Sequence, residues 1–161
     1  MRYFLGIDPG LSGALAFYDP AINELRIFDM PTHVVSVSGK EKRKLDLVML
    51  AQIVDSHAAE VSQAIIEEVG AMPKQGVTSS FSFGFAAGAA QMVVAANYVS
   101  WVTVRPDVWK REMRITKDKD GARREASRLL PIHAGLWALK KDDGRAEAAL
   151  LAYYLAKRRT I

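Results

Sequence analysis

The stretch Tyr3-Phe4-Leu5-Gly6-Ile7-Asp8-Pro9-Gly10 decides how the rest of the chain is read. It alternates and is rich in β-formers from Tyr3 to Asp8, which predicts a strand, and Pro9-Gly10 turns the chain directly after it. An aspartate thus closes a strand with a buried face. Desolvating a carboxylate in such a place is costly unless it is paired or holds a cation.

Working outward, residues 13–18 and 24–30 predict a second and a third strand, separated by a turn near Asp19-Pro20. Three short strands this close together favour an antiparallel meander. Residues 31–44 are expected to form a polar loop ending in the run Lys40 to Lys44. Leu47, Leu50, Ala51 and Val54 recur at helical spacing and predict a helix over 45–59. Ala64 to Val69 predicts a buried strand, and after a loop a small-residue helix follows from about Ser80 to Asn97. Val99 to Val104 is the fifth strand, and Arg105-Pro106 opens a short helix. A charged loop at 114–121, a basic helix at 122–130, an irregular segment at 131–141 and a final helix from about Asp143 to Arg158 complete the chain. The order βββαβαβ, then helices, predicts an α/β fold. Its mixed five-stranded sheet has three antiparallel and then parallel strands, flanked by helices. With no repeat or linker, a single domain spanning 1–161 is expected.

There is no cysteine, which excludes disulfides, thiolate zinc sites and cysteine nucleophiles and suits a reducing cytoplasm. No run approaches the ~18 uninterrupted apolar residues of a membrane span, and the Met-Arg start leaves no room for a signal peptide. A cytoplasmic protein is expected. The net charge of +4 is unevenly spread: residues 1–100 carry 7 basic and 10 acidic side chains, residues 101–161 carry 15 and 8. That asymmetry suits a polyanionic partner engaged from one side.

Besides Asp8, three more acids hold special places. Glu67 ends the fourth strand in Ile65-Ile66-Glu67-Glu68-Val69, and Asp143 and Glu147 lie one turn apart on the last helix. Hard oxygen ligands without cysteine or clustered histidine point to Mg²⁺, with Mn²⁺ as a substitute. Two such ions ~4 Å apart activate a water and stabilise the leaving oxygen of a phosphodiester. Each acid alone has a plainer reading: a turn cap for Asp8, a solvated edge for Glu67, a dipole-favoured helix start for the last pair. The ordered set is what points to chemistry.

This set resembles the RuvC family of Holliday junction resolvases, within the RNase H-like (retroviral integrase) superfamily, and especially its compact phage-type members. Phe4-Leu5-Gly6-Ile7-Asp8-Pro9-Gly10 looks like the first acidic motif, and Ile66-Glu67-Glu68-Val69 with Ala71-Met72 the second. Asp143-Gly144-Arg145-Ala146-Glu147-Ala148 resembles the final acidic pair, and Val104-Arg105-Pro106 with Trp109-Lys110, then Lys119, the region of the family's catalytic lysine. The resemblance covers essentially the whole chain. It implies a homodimeric, metal-dependent endodeoxyribonuclease nicking four-way junctions, with Asp8, Glu67, Asp143 and Glu147 as metal ligands and Lys119 stabilising developing charge.

Two departures stand out. The family's final pair is usually two aspartates at a three-residue spacing, whereas here it is Asp143, or Asp142, with Glu147. Four residues fall roughly 40° apart around a helix and five roughly 140°, which favours Asp143. Gly70 stands where the family places a base-stacking aromatic, and Met72 or Phe81 is a candidate replacement.

Lys74, Lys110, Lys117, Arg123, Arg124 and Arg128 are candidate phosphate contacts, which position DNA without reading its sequence. Lys40, Lys42, Arg43 and Lys44 form another basic patch. Phe81, Phe83 and Phe85 alternate, with core or dimer packing favoured over stacking on bases, and the small residues Ala86 to Ala90 suit a two-fold interface. His33, His57 and His133 are scattered and read as non-catalytic; Trp101, Trp109 and Trp137 read as core or partly buried surface. A flap or fork nuclease of the same fold is the first competing reading. An actin-like nucleotide-binding domain is the second, opposed by the short chain and the missing second phosphate-binding motif. A catalytically dead binding module is the third, opposed by the full acid set.

Overall fold

The computed structural model describes residues 2–70 and 76–159. Strands β1 (Tyr3–Asp8), β2 (Ala14–Asp19) and β3 (Glu24–Asp29) form the antiparallel meander. A second pair, β4 (Thr32–Val37) and β5 (Lys40–Leu45), follows as a separate antiparallel hairpin. Helix α1 (Leu47–Ala58) leads to β6 (Val61–Glu67), α2 (Val77–Ala96) to β7 (Trp101–Val104), and α3 (Pro106–Glu112) to α4 (Gly121–Leu129). Two 3-10 segments, Pro131–Trp137 and Lys140–Asp142, run into the last helix, α5 (Asp143–Arg159).

The main sheet has five strands in the order β3-β2-β1-β6-β7, with β6 and β7 parallel to β1. The expected mixed sheet is therefore present. The expected loop at 31–44 is not: it is the β4–β5 hairpin, closed at Ser38-Gly39, both at positive φ (52° and 73°). Two adjacent residues at positive φ match a two-residue hairpin turn, whose twist suits the flanking strands.

Strand periodicity sorts side chains between two cores. Tyr3, Leu5 and Ile7 of β1, with Leu15 and Phe17 of β2, face α1 and α2 and pack with Leu50, Val54, Ala90 and Val94. The alternate positions face α5, and directly under the helix they are small: Gly6 on β1 and Ala14 and Ala16 on β2 lie against Ala148, Ala149 and Ala152, with the larger Phe4 and Tyr18 further along. A Cβ on Gly6 would stand 2.2 Å from Ala148 O and 2.5 Å from Ala152 N. The absence of a side chain at Gly6 is what lets α5 lie directly on β1. At the start of that helix a Cβ on Gly144 would meet Ser12 O at 2.3 Å, so the loop after β1 touches α5 backbone to backbone.

By length and composition α2 could cross a membrane, with a mean hydropathy of 1.3 over 18 residues, 28 % of them buried. In the fold one side of it covers the sheet through Ala86, Ala87, Ala90 and Val94.

Candidate active site

The same periodicity that puts Gly6 under α5 puts Asp8 on that face, two residues on. Ile65 belongs to the α5-side core, so Glu67 takes that face as well. The parallel register Gly6↔Ile65 and Ile7↔Ile66, carried one residue further, sets Asp8 beside Glu67 at the carboxyl ends of adjacent strands. Helix α5 brings Asp143 and Glu147 over them, since the Gly6 and Gly144 contacts fix its height and depth. Three elements distant in sequence thus deliver four carboxyl groups to one end of the sheet.

A cavity of about 680 Å³ opens there, lined by Asp8, Asp143 and Glu147 together with Leu11, Ser12 and Phe83. Lys140 and Lys141 stand at its rim. Glu67 lies behind, buried, where Trp109 Nε1 donates to its Oε1 at 2.8 Å. Trp109 is itself fully buried at the α3 position that follows the β7 turn. Next to it in sequence, Lys110 extends its ammonium among the acids, hydrogen-bonded to Glu147 and 3.9 Å from Glu67 Oε1.

The acids crowd one another. Burial, then repulsion from Glu147, pushes Asp8 up to about 6 although it accepts from the Gly10 N–H. Burial and again Glu147 push Glu67 up to about 7, against the opposing pull of Lys110. Asp143 is raised for the same two reasons. Burial disfavours the charge on Lys110, but Glu147 and then Glu67 and Asp8 outweigh it and leave its pKa raised. Asp143 Oδ1 is buried and has no hydrogen-bond partner. A buried carboxylate oxygen without a donor is an uncompensated acceptor. Four acids facing one ammonium are short of positive charge, and hard oxygen donors suit a divalent ion such as Mg²⁺. The donor chemistry therefore fits a metal. Among the described residues, though, no three His, Asp or Glu side chains already converge as a ready ligand set. Lys110 stands between two of the four.

Asp142 and Asp143 part company at the helix start. Asp142 is buried, accepts from Leu139 N–H at 3.2 Å and lies 3.8 Å from Arg145 Nη1, so it caps the segment before α5. Asp143 faces the cavity.

The expected basic contacts scatter. Lys119 and Lys117 are exposed in the loop before α4 and do not line the cavity. Arg123 turns inward and donates to Trp137 O, Ala138 O and Asp120, tying α4 to the 3-10 segment. Arg124 pairs with Asp118, holding that carboxyl well below its usual range, and Arg128 pairs with Glu125. Lys74 and Met72 lie outside the described residues. Phe81 is 74 % exposed, whereas Phe83 borders the cavity and Phe85 an apolar groove between α1 and α2. Sequence reading took Lys110 as a candidate phosphate contact in the region of the catalytic lysine, and missed its bond to Glu147 and the hydrogen bond from Trp109 to Glu67. The available signal was their adjacency on the short helix opened by Pro106, directly after the strand beside β6.

No known family model matches the chain, and no curated protein sequence matches it. Solved structures do. RuvC of T. thermophilus in complex with a Holliday junction substrate matches with a TM-score of 0.59 and 16 % identity, over 99 % of this chain and 98 % of that one. A further Thermus thermophilus RuvC structure matches with a TM-score of 0.57 and 17 % identity, over 98 % and 97 %. The chain has the RuvC-like fold.

Proposed function

We propose that the chain is a metal-dependent endodeoxyribonuclease that resolves four-way DNA junctions. The observation that carries this reading is the placement of Asp8, Glu67, Asp143 and Glu147 at one end of a RuvC-like sheet, with Lys110 bonded to Glu147 and 3.9 Å from Glu67.

Asp8, Glu67, Asp143 and Glu147 would hold one or two divalent ions, Mg²⁺ or Mn²⁺ in its place. Bound there, such ions supply a polarised water and charge stabilisation for phosphodiester hydrolysis. The protein's own contributions follow from the geometry. Asp8 and Glu67, raised by burial and then by repulsion from Glu147, would give up their protons to hold a cation. Trp109 fixes the rotamer of Glu67 from the core side. Lys110 gives up Glu147 and turns its charge to the scissile phosphate, where a preorganised cation is most effective in a half-buried site. Lys140 and Lys141 hold phosphates at the rim, and Phe83 offers a face for an unstacked base at the mouth. Lys117 and Lys119, both exposed, and the outer face of α4 with Arg124 and Arg128 meet the strand further out. Arg123 serves the fold. Two-fold pairing is supported by the apolar α1–α2 groove lined by Leu47, Phe85, Gly88 and Met92, with Phe85 and Met92 both half or more exposed.

The test is cleavage of a synthetic four-way junction, a flap and a linear duplex of matched sequence, with and without Mg²⁺. Paired nicks in the junction alone, abolished by chelation, are expected. Equal cutting of the flap moves the reading to a general branched-DNA nuclease, and no metal-dependent cutting of any substrate overturns it.

A further inference from the structure

The β4–β5 hairpin lies outside the main sheet and reaches the core through Leu45, and its register divides its charges between two faces. Directly opposed residues of an antiparallel pair share a face, and successive residues alternate. The pairs Val34↔Arg43 and Thr32↔Leu45 therefore lie on one face, and His33↔Lys44, Val35↔Lys42 and Val37↔Lys40 on the other. The first face is the attachment. Leu45 is buried, and Arg43 donates to Leu11 O at 2.9 Å and Ser12 Oγ at 2.8 Å, both residues of the loop that borders the carboxylate cavity. The second face carries three lysines on alternate positions of one strand, all exposed and none in an ion pair among the described residues. Successive lysines stand roughly 6.8 Å apart. Phosphates on a duplex recur at about 3.4 Å of axis per strand, so the row is on the scale of a sugar-phosphate backbone.

On the proposed nuclease reading, we infer that this hairpin is a second nucleic-acid contact: Lys40, Lys42 and Lys44 bind the phosphate backbone of a DNA arm outside the carboxylate site. Charge complementarity selects the partner. A row of ammonium groups without an ion pair among the described residues, on a ribbon held by its opposite face, faces solvent with no acidic neighbour in line. Glu41, the strand's only acid, pairs with Ser36 on the attachment face.

The experiment is DNA binding by fluorescence anisotropy, on a four-way junction and a linear duplex, from about 50 to about 200 mM salt. The wild type is compared with Lys40→Ser/Lys42→Ser/Lys44→Ser and with the triple Lys→Arg protein. Each phosphate contact adds about 0.9 to the slope of log affinity against log salt. The serine variant is expected to lose at least about 1.8 of that slope and about tenfold or more in affinity at the lowest salt, with the arginine variant retaining both. A smaller loss of slope, or arginines that fail to preserve it, overturns the inference. Wild type that binds and cuts the junction while the serine variant binds equally well overturns the hairpin contact alone. Wild type that binds neither DNA overturns the nuclease reading together with it.

Discussion

Lys110 Nζ lies 2.5 Å from Glu147 Oε1 and 3.9 Å from Glu67 Oε1, so one ammonium is the counter-charge for two acids carried by different elements. The lysine comes from α3, Glu147 from α5 and Glu67 from the end of β6. It occupies the region where a divalent ion would draw the same oxygens together. On the proposed reading, a divalent ion entering there would compete with the ammonium for these oxygens.

Lys110→Ala therefore has opposite effects on two measurements. Without metal at pH 8 the variant should be less stable by about 1–2 kcal/mol, because Glu67 and Glu147, both largely buried, lose their counter-charge. Its affinity for Mn²⁺, read by calorimetry, should rise about tenfold, equivalent to about 1.4 kcal/mol. Weaker Mn²⁺ binding would show that the lysine orients the carboxylates and does not compete for them.

Asp8→Asn tests the cost of a buried carboxylate crowded by Glu147. A carboxyl whose folded pKa is raised costs stability above that pKa and costs nothing below its unfolded value. For Asp8, raised to about 6, the penalty develops as pH climbs from roughly 4 to roughly 7. In chelator the variant should melt higher than wild type at pH 8, by on the order of 1–3 kcal/mol, and equally at pH 4. Cleavage should be abolished and junction binding kept or tightened. An unchanged melting profile at pH 8 would remove the account in which burial and repulsion from Glu147 penalise the Asp8 carboxylate.

Asp142 and Asp143 are separable by two readouts. Asp143→Asn, at the cavity wall, should lower the cleavage rate by orders of magnitude and leave the melting temperature level or higher. Asp142→Asn, at the cap on Leu139 N–H, should cost about 1 kcal/mol of stability and little rate at permissive temperature. A stable, inactive Asp142→Asn beside a fully active Asp143→Asn would exchange their roles.

Gly6→Ala addresses the seat of α5. The new methyl would lie within 2.5 Å of two backbone atoms of that helix, which cannot yield as a flexible side chain can. Overpacking costs about 1–3 kcal/mol and more where backbone must move. Both stability and cleavage should fall together, and a Gly6→Ala protein that melts like wild type would mean that α5 sits less firmly on β1.

Much of this was legible in the chain itself. Alternation in Tyr3 to Asp8 announced β1, and because side chains alternate strictly, it also fixed which face Asp8 takes. The four-residue step from Asp143 to Glu147 set both on one side of a helix, and that local geometry separated Asp143 from Asp142 in advance. The hairpin was not legible by the same signal. Both of its faces are largely exposed, so Lys40 to Lys44 shows no apolar alternation and reads as loop; the Ser38-Gly39 dipeptide was its only mark.

Sequence by itself determined the local features: the strand that ends in Asp8, the helix that begins with Asp143 and the order of the main-sheet strands and their helices. Tertiary structure alone decided which cation answers the carboxylates. Lys110, Lys117 and Lys119 are chemically alike and lie within ten positions of one another in the chain. Only the packing of Trp109 into the core beneath Glu67 turns Lys110 to the carboxylates, while Lys119 is left on an exposed loop. Periodicity fixes a residue's direction relative to its own element. How far that element lies from another depends on close contacts such as Gly6 against α5, which join residues more than a hundred positions apart.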